Sequence, residues 1–129
     1  MIDREIAVAL EEGAIAINKL AAAIHTLNAT WWQVDSLGRR TRNKPEAIAL
    51  MHSELSEMLE GIRKNKQDDH LPHLLSEEVE AADVLIRLLD YCAGFQLDIG
   101  DAMVQKMHYN AKRADHKLEN RNAENGKKF

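Results

Sequence analysis

The 129-residue sequence has little of what interrupts or cross-links a chain: one cysteine, two prolines and six glycines. With Cys92 alone, no disulfide can form within the chain. Aromatic residues make up only 5% of the sequence, and its many Leu, Ala, Glu and Lys residues are typical of an all-α protein. No run approaches the roughly 20 apolar residues of a membrane span, and the start of the sequence does not resemble a signal peptide. We therefore expect a soluble, cytoplasmic protein with no membrane partner.

The net charge of −4 is unevenly distributed along the chain. Residues 1–105 carry ten Lys or Arg and eighteen Asp or Glu, whereas residues 106–129 carry seven and three. An acidic body disfavours binding to a nucleic-acid polymer. A basic tail is suited to binding a small polyanion in complex with a metal ion. The alternative is a tail without a role.

Apolar residues recur with helical spacing in four segments, which predicts four main helices. Pro45 suits the first turn of the second helix, Gly94 is expected to end the third, and Asp98 to cap the fourth. The predicted helices cover residues 2–28, 45–64, 76–93 and 98–117.

These helices predict one all-α domain over residues 1–117, followed by a basic polar tail over residues 118–129. The third helix is apolar around most of its circumference between Asp83 and Asp90. A helix with more than one apolar side is buried on more than one side. We therefore expect a homo-oligomer, either a dimer or a tetramer.

Two pairs of carboxylates with the same spacing are the main chemical signal. Glu54 and Glu57 lie three residues apart on the second predicted helix, and Glu80 and Asp83 on the third. Residues three apart project from one side of a helix, so antiparallel packing would bring the four carboxylates together. Such a cluster is stabilised by a cation, and oxygen ligands suit Mg²⁺, Mn²⁺ or Ca²⁺; we expect Mg²⁺, with Mn²⁺ as a possible substitute. Two ordinary solvated helix faces are the alternative interpretation.

Three further features could bind a ligand. The basic segment of residues 35–44 is either a mobile flap or a solvated loop. Trp31 and Trp32 are adjacent, and neighbouring helical residues point about 100° apart, so only one of them can face a site. We expect Trp32 to form the wall on which a flat ring stacks, and the other tryptophan to lie in the core. On the fourth helix, one face combines three residues suited to phosphate: Lys106, Asn110 and Arg113.

With these motifs, the sequence resembles the MazG-like all-α NTP pyrophosphatases, relatives of the dimeric dUTPases and the phosphoribosyl-ATP pyrophosphatases. The resemblance is carried by the two acidic motifs with their surroundings, by residues 106–113 and by the ending 125–129, and it covers most of residues 24–129. It implies a MazG-like helical bundle and Mg²⁺-dependent hydrolysis of a (deoxy)nucleoside triphosphate to the monophosphate and pyrophosphate. Such hydrolysis usually serves the house-cleaning of nucleotide pools.

The resemblance also implies roles for single residues. The catalytic metal ligands would be Glu54, Glu57, Glu80 and Asp83. The residues in contact with nucleotide or phosphate would be Lys106, Asn110 and Arg113, with Trp31 or Trp32 near the base and Asn28 one turn before them. A helical protein that binds nucleotides or a partner without catalysis is the alternative function.

Overall fold

The computed structural model describes residues 2–113 and 122–126 of the chain. Almost all ordered backbone in these residues is helical, which confirms the all-α prediction. None of the helices in the described ranges has the length and apolar character that a membrane span requires. The four helices are α1 (Arg4–Asn28), α2 (Lys44–Arg63), α3 (Ser76–Gly94) and α4 (Ile99–Lys112).

The chain divides into two compact units. The first combines Met1–Lys19 with Asp98–Phe129, and the second is Leu20–Leu97. The first unit contains the start of α1 and all of α4, where the Asn18 side chain accepts from the Gly100 amide at 2.9 Å and donates to Asp98 Oδ1 at 2.9 Å. The second unit contains α2 and α3, which form the main helix pair.

The packing of α2 on α3 is what positions the acidic motifs. Gly61, near the end of α2, faces Ser76 at the start of α3, and Glu54 contacts Arg87 further along. These contacts run in opposite directions along the two helices, so the pair is antiparallel, the arrangement on which the meeting of the acidic motifs depends. A Cβ at Gly61 would lie 2.7 Å from Ser76 Oγ, so only glycine allows this close approach.

The predicted cap of the fourth helix is confirmed, because Asp98 accepts from the Asp101 amide at 3.0 Å. Helix α2 has a cap that was not predicted, Asn43, whose side chain accepts from the Glu46 amide. Helix α4 ends at Lys112, because Arg113 already has an extended backbone. The fourth helix is therefore shorter than predicted, and residues 114–117 and most of the predicted tail lie outside the described residues.

Gly94 is the last residue of α3, which confirms the predicted end of this helix. The left-handed residue that follows the helix is Gln96, with φ of 58°. A Cβ at Gly94 would overlap the six-membered ring of Trp32, so this glycine also makes room for an indole. The sequence predicted the helix end but not the packing against Trp32.

Between α1 and α2, the basic segment folds into a short β-hairpin after a 3₁₀ turn, Ala29–Trp31. Strands β1 (Gln33–Val34) and β2 (Arg40–Thr41) pair antiparallel. Asp35 Oδ1 accepts from the amides of Leu37 and Arg39 at 2.9 and 2.8 Å, and these bonds shape the turn. The segment is therefore a hairpin rather than an irregular loop.

Candidate metal and ligand site

The two acidic motifs bring three carboxylates together. Ligand oxygens of Glu54, Glu57 and Glu80 all lie within 4.8 Å of one another. Glu54 is buried at 8% exposure while Glu57 is exposed, so one side of the cluster is shielded and the other faces water. Asp83, the fourth predicted ligand, is not one of the three, but it lies one turn further along α3 on the same side as Glu80.

Glu80 is the most perturbed acid of the cluster. Burial, a hydrogen bond with Glu54 and the charges of Glu57, Glu54 and Asp83 raise its pKa from 4.5 to about 7. Its Oε2 is buried and has no hydrogen-bond partner among the described residues. A carboxylate oxygen in this position lacks a positive partner, and a divalent cation fits the donor set that surrounds it.

Arg87 supplies the one positive charge in contact with this cluster among the described residues. Its Nε donates to Glu54 Oε1 at 2.9 Å. Burial and the charge of Glu54 raise the pKa of Asp83, while the charge of Arg87 acts in the opposite direction. The guanidinium therefore neutralises part of the cluster before any cation binds.

Glu54 also lines a cavity of about 450 Å³ that follows one face of α3. Asp83, Arg87 and Asp90 line the cavity, spaced four and three residues apart, so they share that face. Asn28 also lines the cavity, and its contact with a ligand stays a prediction.

The two tryptophans have opposite environments. Trp31 is 81% exposed and lines the cavity, whereas Trp32 is 4% exposed and packs 5.1 Å from the Phe95 ring. The indole N–H of Trp32 donates to Asp90 Oδ2 at 3.0 Å. One tryptophan faces the cavity and the other is core, but the preference for Trp32 as the wall is corrected to Trp31. Trp32 is held inward because its N–H finds a buried acceptor.

Asp90 joins three side chains beside the cavity. It is 3% exposed, and its Oδ1 lies 2.8 Å from His25 Nδ1. Because a carboxylate can only accept, His25 donates through Nδ1. Arg42 Nη1 lies 3.8 Å from the other oxygen, which also accepts from Trp32.

The three predicted phosphate ligands belong to the first unit. Lys106 Nζ and Arg113 Cζ lie 4.8 and 5.7 Å from the centroid of the Tyr109 ring. Because Arg113 follows α4 with an extended backbone, the prediction that one helix face carries all three residues is corrected. The Oδ1 atom of Asn110 is buried without a hydrogen-bond partner in the described part of the chain. Their contact with a ligand stays a prediction.

Sequence reasoning missed two cavity residues: Arg87 and Asp90. A signal for both was present, because they extend the spacing of Glu80 and Asp83 along the same helix face. Arg42 belongs to the basic segment that was named as a possible ligand-binding feature, but the sequence did not single it out from the other positive residues of that segment.

Comparisons of the chain with protein-family models, with curated proteins and with solved structures found no match. The function of the site is therefore argued from its geometry.

Proposed function

We propose that this chain hydrolyses (deoxy)nucleoside triphosphates to the monophosphate and pyrophosphate with Mg²⁺, with Mn²⁺ as a possible substitute. The observation that carries the proposal is the Glu54–Glu57–Glu80 cluster, in which a buried carboxylate oxygen has no partner within the described residues. This cluster adjoins a cavity with an exposed indole on its wall. Together they support a cation site beside a surface for a flat ring.

In this function, Glu54, Glu57 and Glu80 hold the cation, and Asp83 contributes from the cavity wall. When bound, Mg²⁺ offsets the charge of the phosphates and activates the attacking water. Arg87 offsets the charge of Glu54 and lines the cavity, so it can meet an anionic group there. We assign contacts with the phosphate chain to Lys106, Asn110 and Arg113 on chemical type alone.

The ring of the ligand would lie against Trp31. Stacking of a base on an aromatic side chain contributes about 1–3 kcal/mol in single-strand binding proteins, and an indole that is 81% exposed offers its face for such a contact. Asn28, on the same cavity, has an amide that can both donate and accept.

We also propose that the protein is a homo-oligomer. Four apolar side chains form a stripe on α2 with spacings of seven, four and three residues, which is typical of a helix–helix seam. Their exposed fractions are between 38% and 58%, and Leu85 on α3 is 53% exposed. Burial of these side chains in a second copy would remove them from water. The stripe consists of Ile48, Leu55, Leu59 and Ile62.

The test is release of pyrophosphate from a panel of (deoxy)nucleoside triphosphates, with Mg²⁺ and with EDTA. We expect release only with Mg²⁺, and loss of most activity in Glu57→Gln and Asp83→Asn, because each removes a charged ligand. Glu12→Gln is the matched control, since Glu12 is exposed in the middle of α1 and belongs to no cluster. Full activity in both site variants would refute the metal assignment, and nucleotide binding without pyrophosphate release would support the non-catalytic alternative.

A further inference from the structure

Arg42 has donors that the protein does not use. Its side chain is 25% exposed and lines the cavity, with Nη1 at 3.8 Å from Asp90 Oδ2, too far for a hydrogen bond. Its Cζ lies 5.6 Å from the centroid of the Trp32 ring. Within the part of the chain that the structure describes, this guanidinium donates no hydrogen bond. A guanidinium offers five N–H groups, and those of Arg42 are therefore available to an acceptor in the cavity that it lines.

The surroundings of Arg42 hold it in one place. Asp90 is immobilised by hydrogen bonds from His25 and Trp32, one to each of its oxygens. The guanidinium lies over the Trp32 ring and beside this carboxylate, so an ion pair and a cation–π contact limit its movement. Asp90 is therefore a positioning residue, and Arg42 is the group that would touch a ligand.

Arg42 lies beside the exposed indole. Arg42 and Trp31 together line this cavity and also a smaller one of about 110 Å³. Glu80 of the acidic cluster lies ten residues before Asp90 on α3, which corresponds to about 15 Å along the helix axis. A ligand group that contacts Arg42 therefore also lies next to the Trp31 ring, where the proposed function places the base.

We infer that Arg42 reads the base of the nucleotide through an edge that carries two neighbouring acceptors; this inference rests on the proposed function. A guanidinium only donates hydrogen bonds. Two of its N–H groups are parallel and can donate to two neighbouring acceptors at once, such as O6 and N7 of guanine. Cytosine also offers two neighbouring acceptors, O2 and N3. Adenine and uracil or thymine place a donor beside each acceptor, so they can pair with only one of these two N–H groups. The site should therefore favour guanine or cytosine nucleotides.

The test is calorimetric binding of GMP, CMP, AMP and UMP in EDTA, which requires neither metal nor hydrolysis. We expect GMP or CMP to bind tighter than AMP and UMP by on the order of tenfold to a hundredfold. Arg42→Lys keeps the charge but loses the two parallel N–H groups, so it should abolish this preference. Arg39→Lys is the matched control, because Arg39 pairs with Asp35 in the hairpin and does not line the cavity. A further measurement with 7-deaza-GMP distinguishes guanine from cytosine as the preferred base. This analogue lacks N7, so it should bind more weakly than GMP only if Arg42 contacts guanine.

Each outcome has one meaning. Equal affinities for the four bases in the wild-type protein, or a preference that survives Arg42→Lys, would overturn the inference even if Arg42→Lys were poorly folded. Pyrophosphate release without base preference overturns only the inference, whereas base-selective binding without release overturns only the proposed function. If the protein neither binds nucleotides nor releases pyrophosphate, both are overturned.

Discussion

Replacement of Glu80 by glutamine should stabilise the metal-free protein at neutral and basic pH. The pKa of Glu80 is raised from 4.5 to about 7 by burial and by the nearby acids. In the folded state this carboxyl therefore holds its proton at a pH where the unfolded chain has released it. The folded state binds more protons between these two values, so the free energy of unfolding falls as the pH rises from about 4.5 to about 7.

The magnitude follows from the two pKa values. Each pH unit between them corresponds to about 1.36 kcal/mol, which sets an upper limit on the order of 3 kcal/mol. Water reaches the cluster on the side of Glu57 and screens part of this repulsion. We therefore expect a gain of about 1–2 kcal/mol for Glu80→Gln at pH 8 in EDTA, or about 4–8 °C in Tm for a chain of this size.

The assay is thermal unfolding of the wild-type protein, Glu80→Gln and the control Glu12→Gln from pH 4.5 to 8.5, in EDTA and with Mg²⁺. At pH 4.5 the difference between wild type and Glu80→Gln should disappear, because the wild-type carboxyl is then protonated. Mg²⁺ at a hundred times its Kd should stabilise the wild-type protein by about 2.7 kcal/mol, and Glu80→Gln by much less. If Glu80→Gln is no more stable than wild type at pH 8 in EDTA, the cluster carries no repulsion for a cation to relieve.

Three further predictions concern the tryptophans and the surface of α2. Trp31→Ala should leave stability within about 0.5 kcal/mol but raise KM for nucleotides roughly tenfold to a hundredfold, with no effect on any hydrolysis of inorganic triphosphate; an unchanged KM would place the base elsewhere. Trp32→Ala should lower the free energy of unfolding by about 3–5 kcal/mol, and Gly94→Ala by about 1–3 kcal/mol through overpacking against the same ring. Urea unfolding measures both, and an unchanged stability of Gly94→Ala would contradict this packing. The wild-type protein should sediment as a dimer or larger at micromolar concentration, and Leu59→Glu should shift it toward the monomer, whereas a monomeric wild type would remove the basis for a shared interface.

The helices could be predicted from the sequence because their signals are local. Asp98 caps the helix that follows it through its own side chain, and three of the four paired acids meet because three-residue spacing sets their direction on the helix. The packing role of Gly94 could not be predicted, for the opposite reason. Its neighbour in space is Trp32, far away in the sequence, and only that neighbour shows that a side chain does not fit at this position.

The candidate site could be predicted where a single helix contains the pattern, and not where several segments meet. The choice between Trp31 and Trp32 depends on which indole finds a buried acceptor, and that acceptor is Asp90 on another helix. Arg42 is positioned by the same carboxylate and by the hairpin that precedes it. Short strands such as β1 and β2 are set by a few hydrogen bonds, and their two-residue length leaves no periodic pattern to detect.

The Arg87–Glu54 ion pair has a consequence for how the site would fill. Small domains with a structural zinc site often unfold when the metal is removed. Here Arg87 already serves as a counter-ion to the acidic cluster. A cation must compete with Arg87 for Glu54, which weakens its binding to the protein alone. An anionic ligand changes this balance, because a guanidinium released from Glu54 can pair with the anion instead. Cation and anion binding should therefore be cooperative, with each raising the affinity for the other by exchange of ion-pair partners.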